Sequence, residues 1–400
     1  PGLAGAAAAY TSGPITAPDA ILKFARDFGS EVAIIGPEAP LAAGVADALN
    51  EAGIPTAGPG KALARIESSK GFARDLLQKY EIPGSPAYRR FSSLNGAASF
   101  LRELGGDFVV KADGLMGGKG VKVSGEHLRD ESEALSWCSE IIDAGSSFVI
   151  EEKCLGPEFS LFTFTDGRTA VHSPLVQDHK RAYLGDEGPN TGGMGSYSMP
   201  DHRLPFVEES DYLAAVNMNE KTLEALASET GAPYRGILYG GFMATSDGIR
   251  LIEYNARFGD PECMNLLTLF AGDFFETARG MATGNLDPSQ IVFEKRASVC
   301  KYLVPEGYPD NPRKLFPIDL SKVPDCRDLF LGSVDERDGQ LLAAGSRTLA
   351  FVGTGATLAE AESAAESLVE KVPGPLFHRP DIGTSELVQK RIDLIRRLRG

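Results

Sequence analysis

The chain has 400 residues, 42% hydrophobic, 24% charged and 8% aromatic, with a formal net charge of −15. That length suits two to four domains with full cores, and the acidic balance argues against nucleic acid or an anionic membrane surface as a partner. The five cysteines are scattered without a C-x-x-C pair, which reads as reduced thiols rather than a disulfide frame or zinc site, and no apolar run is long enough to span a membrane.

The amino end, PGLAGAAAAYTSG, lacks a basic leading region and is not read as a signal peptide. APDAILKFARDFG then has helical apolar spacing, EVAIIG reads as a short buried strand, and PLAAGVADALNEAG as one helix stopped by Gly53. This alternation predicts a parallel, doubly wound sheet with ligands at the strand carboxyl ends, where Gly36-Pro37-Glu38-Ala39-Pro40 forms the loop. SSKGFARDLLQKYEIPGS reads as one helix ended by Pro83-Gly84. Two short strands then flank a glycine loop, and ESEALSWCSEII is a helix. SSFVIEEKCLGPEFSLFTFTDG gives two strands interrupted at Gly156-Pro157, the first of which, leaving a sheet with acids on either side, fits a functional strand end as well as a plain edge strand. A long helix over VEESDYLAAVNMNEKTLEALASET precedes the strand pair ILYGGFMAT and IRLIEYN, joined at Ser246-Asp247-Gly248. ASVCKYLVP, TLAFVGTG and two further helices complete the pattern.

Three stretches concentrate chemistry. KADGLMGGKG, residues 111 to 120, has glycines and lysines but not the G-x-x-x-x-G-K-[ST] spacing of a P-loop, and it joins two strands rather than a strand and a helix. As a hairpin it fits a water-excluding lid over phosphates and a solvated loop with surface lysines equally well. In LIEYN, Glu253 and Asn255 share one face of a strand, and a carboxylate beside a carboxamide oxygen suits Mg²⁺. QDHKRAYLGDEGPNTGGMGSYS runs for more than twenty residues without apolar periodicity, which predicts a functional loop; within it His179 fits a surface histidine as well as a site residue.

In this order, together with ESSKGFARDLL, GPEAPLAAGVADAL, NARFGDPE and FHRPDIG, these motifs resemble the glycinamide ribonucleotide synthetase family of the ATP-grasp superfamily, nearly end to end. Other ATP-grasp ligases, such as biotin-dependent carboxylases and D-alanine ligases, share the hairpin and the Glu-x-Asn strand but not QDHKR followed by GPNTGGMG. The resemblance implies ATP-dependent ligation of glycine to 5-phosphoribosylamine, without a covalent enzyme nucleophile, by a cytoplasmic monomer acting on small molecules.

It also implies roles. Lys70, Lys111, Gly117, Gly118 and Lys119 would hold nucleotide phosphates. The backbone from Glu152 through Lys153 to Leu155 would read adenine, and Glu158 would accept the ribose hydroxyls. Glu253 and Asn255 would bind Mg²⁺ or Mn²⁺. The substrate pocket would comprise Gly36, Pro37, Glu38, Pro40, Asp178, Lys180, Arg181, Asn190, Thr191, Gly192, Gly193, Arg257 and Asp260, with Arg257, Lys111 and Asp178 taking part in catalysis.

The implied architecture is an α/β domain over 1–67, a linker helix over 68–85, a small lid subdomain over 86–152, a larger ATP-grasp subdomain over 153–290, and a C-terminal α+β domain over 291–400 that covers the nucleotide. Relative to the family pattern, one β-α unit of about 30 residues is expected ahead of Pro1, where its turn helps bind the phosphoribosyl group. Met116-Gly117 stands where Ala-Ala is commoner. Gly241 replaces a glutamine that in some relatives could contact a metal, so a second magnesium would lack that ligand.

Overall fold

The computed structural model describes residues 7–116, 120–324 and 328–400. The first segment contains α1 (Pro18–Phe28), β1 (Ala33–Ile34), α2 (Glu38–Ala43), α3 (Val45–Glu51), β2 (Thr56–Ala57) and α4 (Lys61–Ser68). β1 and β2 pair in parallel, as the α/β alternation requires. The single helix expected over residues 40–53 is instead two, because Gly44 adopts a left-handed conformation (φ 88°) that ends α2 and opens α3. α4 was not expected. Leu63, Ala64 and Ile66 are its buried face. Ser69 interrupts the helical path, and its hydroxyl then accepts the Phe72 amide to cap α5 (Lys70–Lys79). The expected helix over 68–85 is thus shorter at both ends.

A four-stranded antiparallel sheet follows, built from β3 (Tyr88–Phe91), β4 (Phe108–Ala112), β5 (Val121–Val123) and β6 (Phe148–Glu152) in the order β3-β6-β4-β5. It is backed by α6 (Ala97–Glu103) and α7 (Glu131–Asp143). Asp130 caps α7 by accepting the Glu133 amide. β6, for which an edge position was one of two readings, lies between β3 and β4. Its Glu151 is therefore a buried acid, which periodicity alone cannot distinguish from an edge charge. Phe100, Phe108, Val110, Ile141, Phe148 and Ile150 give this layer a core of its own.

The larger sheet comprises β7 (Glu158–Thr165), β8 (Ala170–His172), β13 (Gly236–Thr245) and β14 (Gly248–Asn255), ordered β14-β13-β7-β8. α8 (Glu209–Thr230), opened by a Glu208/Asp211 capping box and closed at Gly231, packs on it. The stretch expected as a loop contains β9 (Gln177–Asp178), the hairpin of β10 (Arg181–Tyr183) and β11 (Glu187–Asn190), and β12 (Gly195–Ser198). α9 (Glu262–Leu269) and α10 (Phe274–Thr283) follow β14.

β15 (Ala297–Pro305), β16 (Leu329–Leu331), the hairpin β17 (Val334–Arg337) and β18 (Gln340–Ala343), β19 (Leu349–Gly355), α11 (Leu358–Val369), β20 (Leu376–Phe377) and α12 (Ser385–Arg399) form the remainder. The third sheet runs β16-β19-β15-β12-β9, so strands from the middle of the chain are hydrogen-bonded to strands near its end. One core joins Leu41, Phe72, Phe159, Tyr254, Val299 and Val352 across these segments. No helix among the described residues is long and apolar enough to cross a membrane.

Candidate active site

The lid sheet, the larger sheet and the third sheet meet around a cleft of about 870 Å³. Although the chain is strongly acidic, the cleft collects cations: Lys70, Lys111, Lys153, Lys180, Arg181, Arg257, Arg347 and Arg391 all line it.

Its lid side is organised around Glu151. Arg74 approaches this carboxylate through Nε (2.7 Å) and Nη2 (2.9 Å), and Lys111 Nζ lies 2.7 Å away. Burial alone would raise the Glu151 carboxyl, but the two cations outweigh it and hold the pKa at about 2. Lys111 also donates to the Ile252 carbonyl at 3.0 Å, which ties the lid sheet to β14. Lys70, first in α5, donates to the Gly114 carbonyl at 2.9 Å; burial lowers its pKa.

Glu253 and Asn255 point to the cleft from alternate positions of β14. Lys180 Nζ stands 3.1 Å from Glu158 and 4.0 Å from Glu253. Burial opposes ionisation of Glu253, yet Lys180, Lys111, Lys70 and Arg257 together hold its carboxyl below the usual range. One carboxylate and one carboxamide oxygen are a donor set that Mg²⁺ or Mn²⁺ accepts when phosphate and water oxygens complete the shell. Among the described residues no three His, Cys, Asp or Glu side chains are grouped to hold a metal unaided. The fit is therefore to a metal carried with a phosphate ligand.

Arg257 lies between two acids. Its Nη2 is 2.9 Å from Glu67 and its Nε 3.6 Å from Glu38, while Nη1 donates to the Phe258 carbonyl. Glu67 also accepts the Ala256 amide at 2.7 Å. Burial raises its carboxyl to about 7, Arg257 and that amide only partly opposing. Burial and the neighbouring Glu262 push Asp178 well above the usual carboxyl range, and Glu262 is itself raised by burial. Neighbouring carboxyls resist ionising together. Asp178 Oδ1 is buried without a hydrogen-bond partner among the described residues.

The 190–193 turn is tied back to the QDHKR strand. The Thr191 amide and hydroxyl both donate to the Lys180 carbonyl (2.7 and 2.9 Å), and Thr191 Oγ1 accepts the Gly193 amide. Gly193 has φ +111°, and a Cβ there would come within 2.5 Å of Pro261 and 2.7 Å of Asp178, so only glycine fits. His179, which also fitted a surface position, is instead buried, with Nδ1 3.4 Å from Asp186.

Most of the expected site residues line this cleft: Gly36, Pro37, Glu38, Lys70, Lys111, Glu152, Lys153, Glu158, Asp178, Lys180, Arg181, Asn190, Thr191, Gly192, Glu253, Asn255, Arg257 and Asp260. Three do not. Pro40 is buried within α2, Gly193 lies close against Pro261 and Asp178, and the Leu155 side chain is 60% exposed. Gly117, Gly118 and Lys119 lie outside the described residues. Glu67, Arg74, Glu151, Glu262 and Arg347 line the cleft without having been anticipated. Glu67 sits three positions before Lys70 in ESSK, in the last turn of α4, whereas Arg347 has no local signature.

A lysine-bearing hairpin facing a Glu-x-Asn strand across a cleft between two antiparallel sheets defines an ATP-grasp protein. A biotin carboxylase from Campylobacter jejuni shares the fold (TM-score 0.73 over 96% of this chain and 85% of that one) at 14% identity.

Models of the phosphoribosylglycinamide synthetase N domain, ATP-grasp (A) domain and C domain match residues 1–67, 68–263 and 298–385. Phosphoribosylamine–glycine ligases from Methanoregula boonei and Methanococcus maripaludis are 50% and 47% identical, over 98% and 95% of this chain and 90% and 87% of theirs. The crystal structure of phosphoribosylamine–glycine ligase from Thermotoga maritima is 32% identical, with a TM-score of 0.72 over 82% of this chain and 81% of its own. The chain belongs to the phosphoribosylglycinamide synthetase family.

Proposed function

We propose that this protein joins glycine to 5-phosphoribosylamine at the expense of ATP, through a glycyl phosphate intermediate, giving glycinamide ribonucleotide, ADP and phosphate in purine biosynthesis. The observation that carries this reading is the convergence of Arg257, Lys180, Lys70 and Lys111 with the Glu253/Asn255 pair in one cleft, in a chain of this family.

The chemistry follows from charge. A glycine carboxylate must approach the γ-phosphoryl of ATP, and both are anions. Lys70 and Lys111, together with Arg257, supply positive charge where the phosphoryl is transferred. Mg²⁺ or Mn²⁺, held by Glu253 and Asn255, supplies further neutralisation of phosphate oxygens when bound. Glu152 and Lys153, with Glu158 nearby, are the candidates for the nucleoside end. Asp178, Lys180, Arg181 and the 190–193 turn, with Gly36 to Glu38 and Asp260, are those for glycine and the phosphoribosyl amine. Acyl phosphates hydrolyse readily, so a covered cleft protects the intermediate until the amine attacks, and holding that amine against the acyl carbon supplies further acceleration. A cytoplasmic setting agrees with the free thiols of Cys138, Cys154, Cys263 and Cys300.

The test is ADP release with MgATP, glycine and freshly generated 5-phosphoribosylamine, omitting each in turn. Release that needs all three is expected. ATP binding without such release would sink the reading.

A further inference from the structure

Arg347, just ahead of β19, reaches from the C-terminal region into the cleft wall. Its Nη2 donates to Asp260 Oδ2 at 2.9 Å. Its Nη1 faces four oxygens, the carbonyls of Gly192 (2.7 Å), Asp260 (2.9 Å) and Gly193 (3.3 Å) and Asp260 Oδ1 (3.2 Å). The guanidinium lies 4.7 Å from the Tyr302 ring centre, and the Tyr302 hydroxyl donates to Asp260 Oδ1 at 2.9 Å. Both terminal nitrogens are therefore committed to protein acceptors.

The segment that Arg347 holds has reason to need holding. Gly192 and Gly193 would otherwise leave the turn with large conformational freedom. Thr191 anchors one side of it to Lys180, and Arg347 anchors the other to Asp260. None of the hydrogen bonds of Arg347 reaches the lid sheet, Lys70 or the β6–β7 connection.

We propose that Arg347 is a positioning residue that fixes the 190–193 turn and Asp260, and thereby sets the affinity for the two non-nucleotide substrates while leaving ATP affinity unchanged. A turn ordered before binding removes an entropic cost that glycine and the amine would otherwise meet. The inference rests on the proposed ligase reading.

Wild type, Arg347→Met and Arg347→Lys are compared by KM for each substrate, kcat and thermal unfolding. In Arg347→Met the KM for glycine or for phosphoribosylamine should rise about 10-fold or more, with the ATP KM within about 2-fold. Arg347→Lys should fail to rescue, since a shorter side chain ending in one nitrogen lacks the planar fork whose two nitrogens take both Asp260 carboxylate oxygens while also reaching the Gly192 carbonyl, whereas a role of charge alone would be rescued. With Asp260→Asn added to Arg347→Met, the loss should be less than the sum of the two.

A lower unfolding temperature with unchanged KM values, or an equal rise in the ATP KM, would overturn the inference while leaving the ligase reading intact. Wild type inactive with glycine and phosphoribosylamine would overturn both.

Discussion

Lys111 Nζ stands 2.7 Å from Glu151 Oε2, so the lysine of the lid sheet is held by an acid of the neighbouring strand before any ligand arrives. Arg74 grips the same carboxylate, and both cations extend to backbone carbonyls of β14. Glu151 thus fixes the distance between the lid and the larger sheet.

Replacing it exposes that role. Glu151→Gln leaves Arg74 and Lys111 buried without a counter-charge and should destabilise the fold by about 3–5 kcal/mol, read as a lower urea midpoint with an unchanged slope. The pH dependence has a definite sign. With a folded pKa of about 2 against an ordinary 4.5, the stabilisation by Glu151 is complete above 4.5 and disappears as pH falls toward 2. Wild type and Glu151→Gln should therefore converge in stability under acid.

Glu67 behaves in the opposite sense. Its folded pKa of about 7 exceeds the ordinary 4.5, so between these values the folded state binds more protons than the unfolded one. Stability must then fall as pH rises through that window. Relative to Glu67→Gln, wild type should lose on the order of 3 kcal/mol between pH 5 and 8. Parallel urea titrations at the two pH values check this, and identical pH dependence would remove Glu67 as the cause.

At the proposed metal position, Glu253→Gln keeps the shape of β14 and removes the charge. Turnover should fall by about 10²–10³-fold, with a raised Mg²⁺ requirement. Normal magnesium dependence in a steady-state titration would take Glu253 out of the site.

Gly193→Ala probes the turn. A methyl group would meet Pro261 and Asp178 in a backbone conformation that alanine avoids. The expected cost is about 1–3 kcal/mol of stability together with most of the activity, measured by thermal unfolding and ADP release. A variant of wild-type stability would show that the turn can relax.

What the sequence made legible was local. The β13–β14 hairpin announced itself by two apolar runs joined at Ser246-Asp247-Gly248, and it delivered Glu253 and Asn255 to one face as expected. The strands on either side of the glycine hairpin were equally readable, with Lys111 opposite Val121.

The contacts that organise the cleft were not readable, because they join distant positions. Arg347 and Asp260 are 87 residues apart, and Arg74 and Glu151 are 77 apart. Two-residue strands such as Gln177–Asp178 carry no period at all, so a pairing made only through β12 looked like a loop. Gly44 divided a helix whose apolar spacing was otherwise continuous.

The pairing of β12 with β15 has a consequence for how the protein can be taken apart. Gly195 to Ser198 are in register with Lys301 to Ser298, so the strand ladder that carries Asp178 is completed from beyond the larger sheet. A chimera that exchanged the C-terminal region for a relative's would have to inherit this seam residue by residue. For the same reason, a protease cut between residues 283 and 297 should leave two fragments that stay associated. Amide hydrogens on β12 should exchange with solvent as slowly as those of β15, as one cooperative unit that straddles the boundary between the A-domain and C-domain matches.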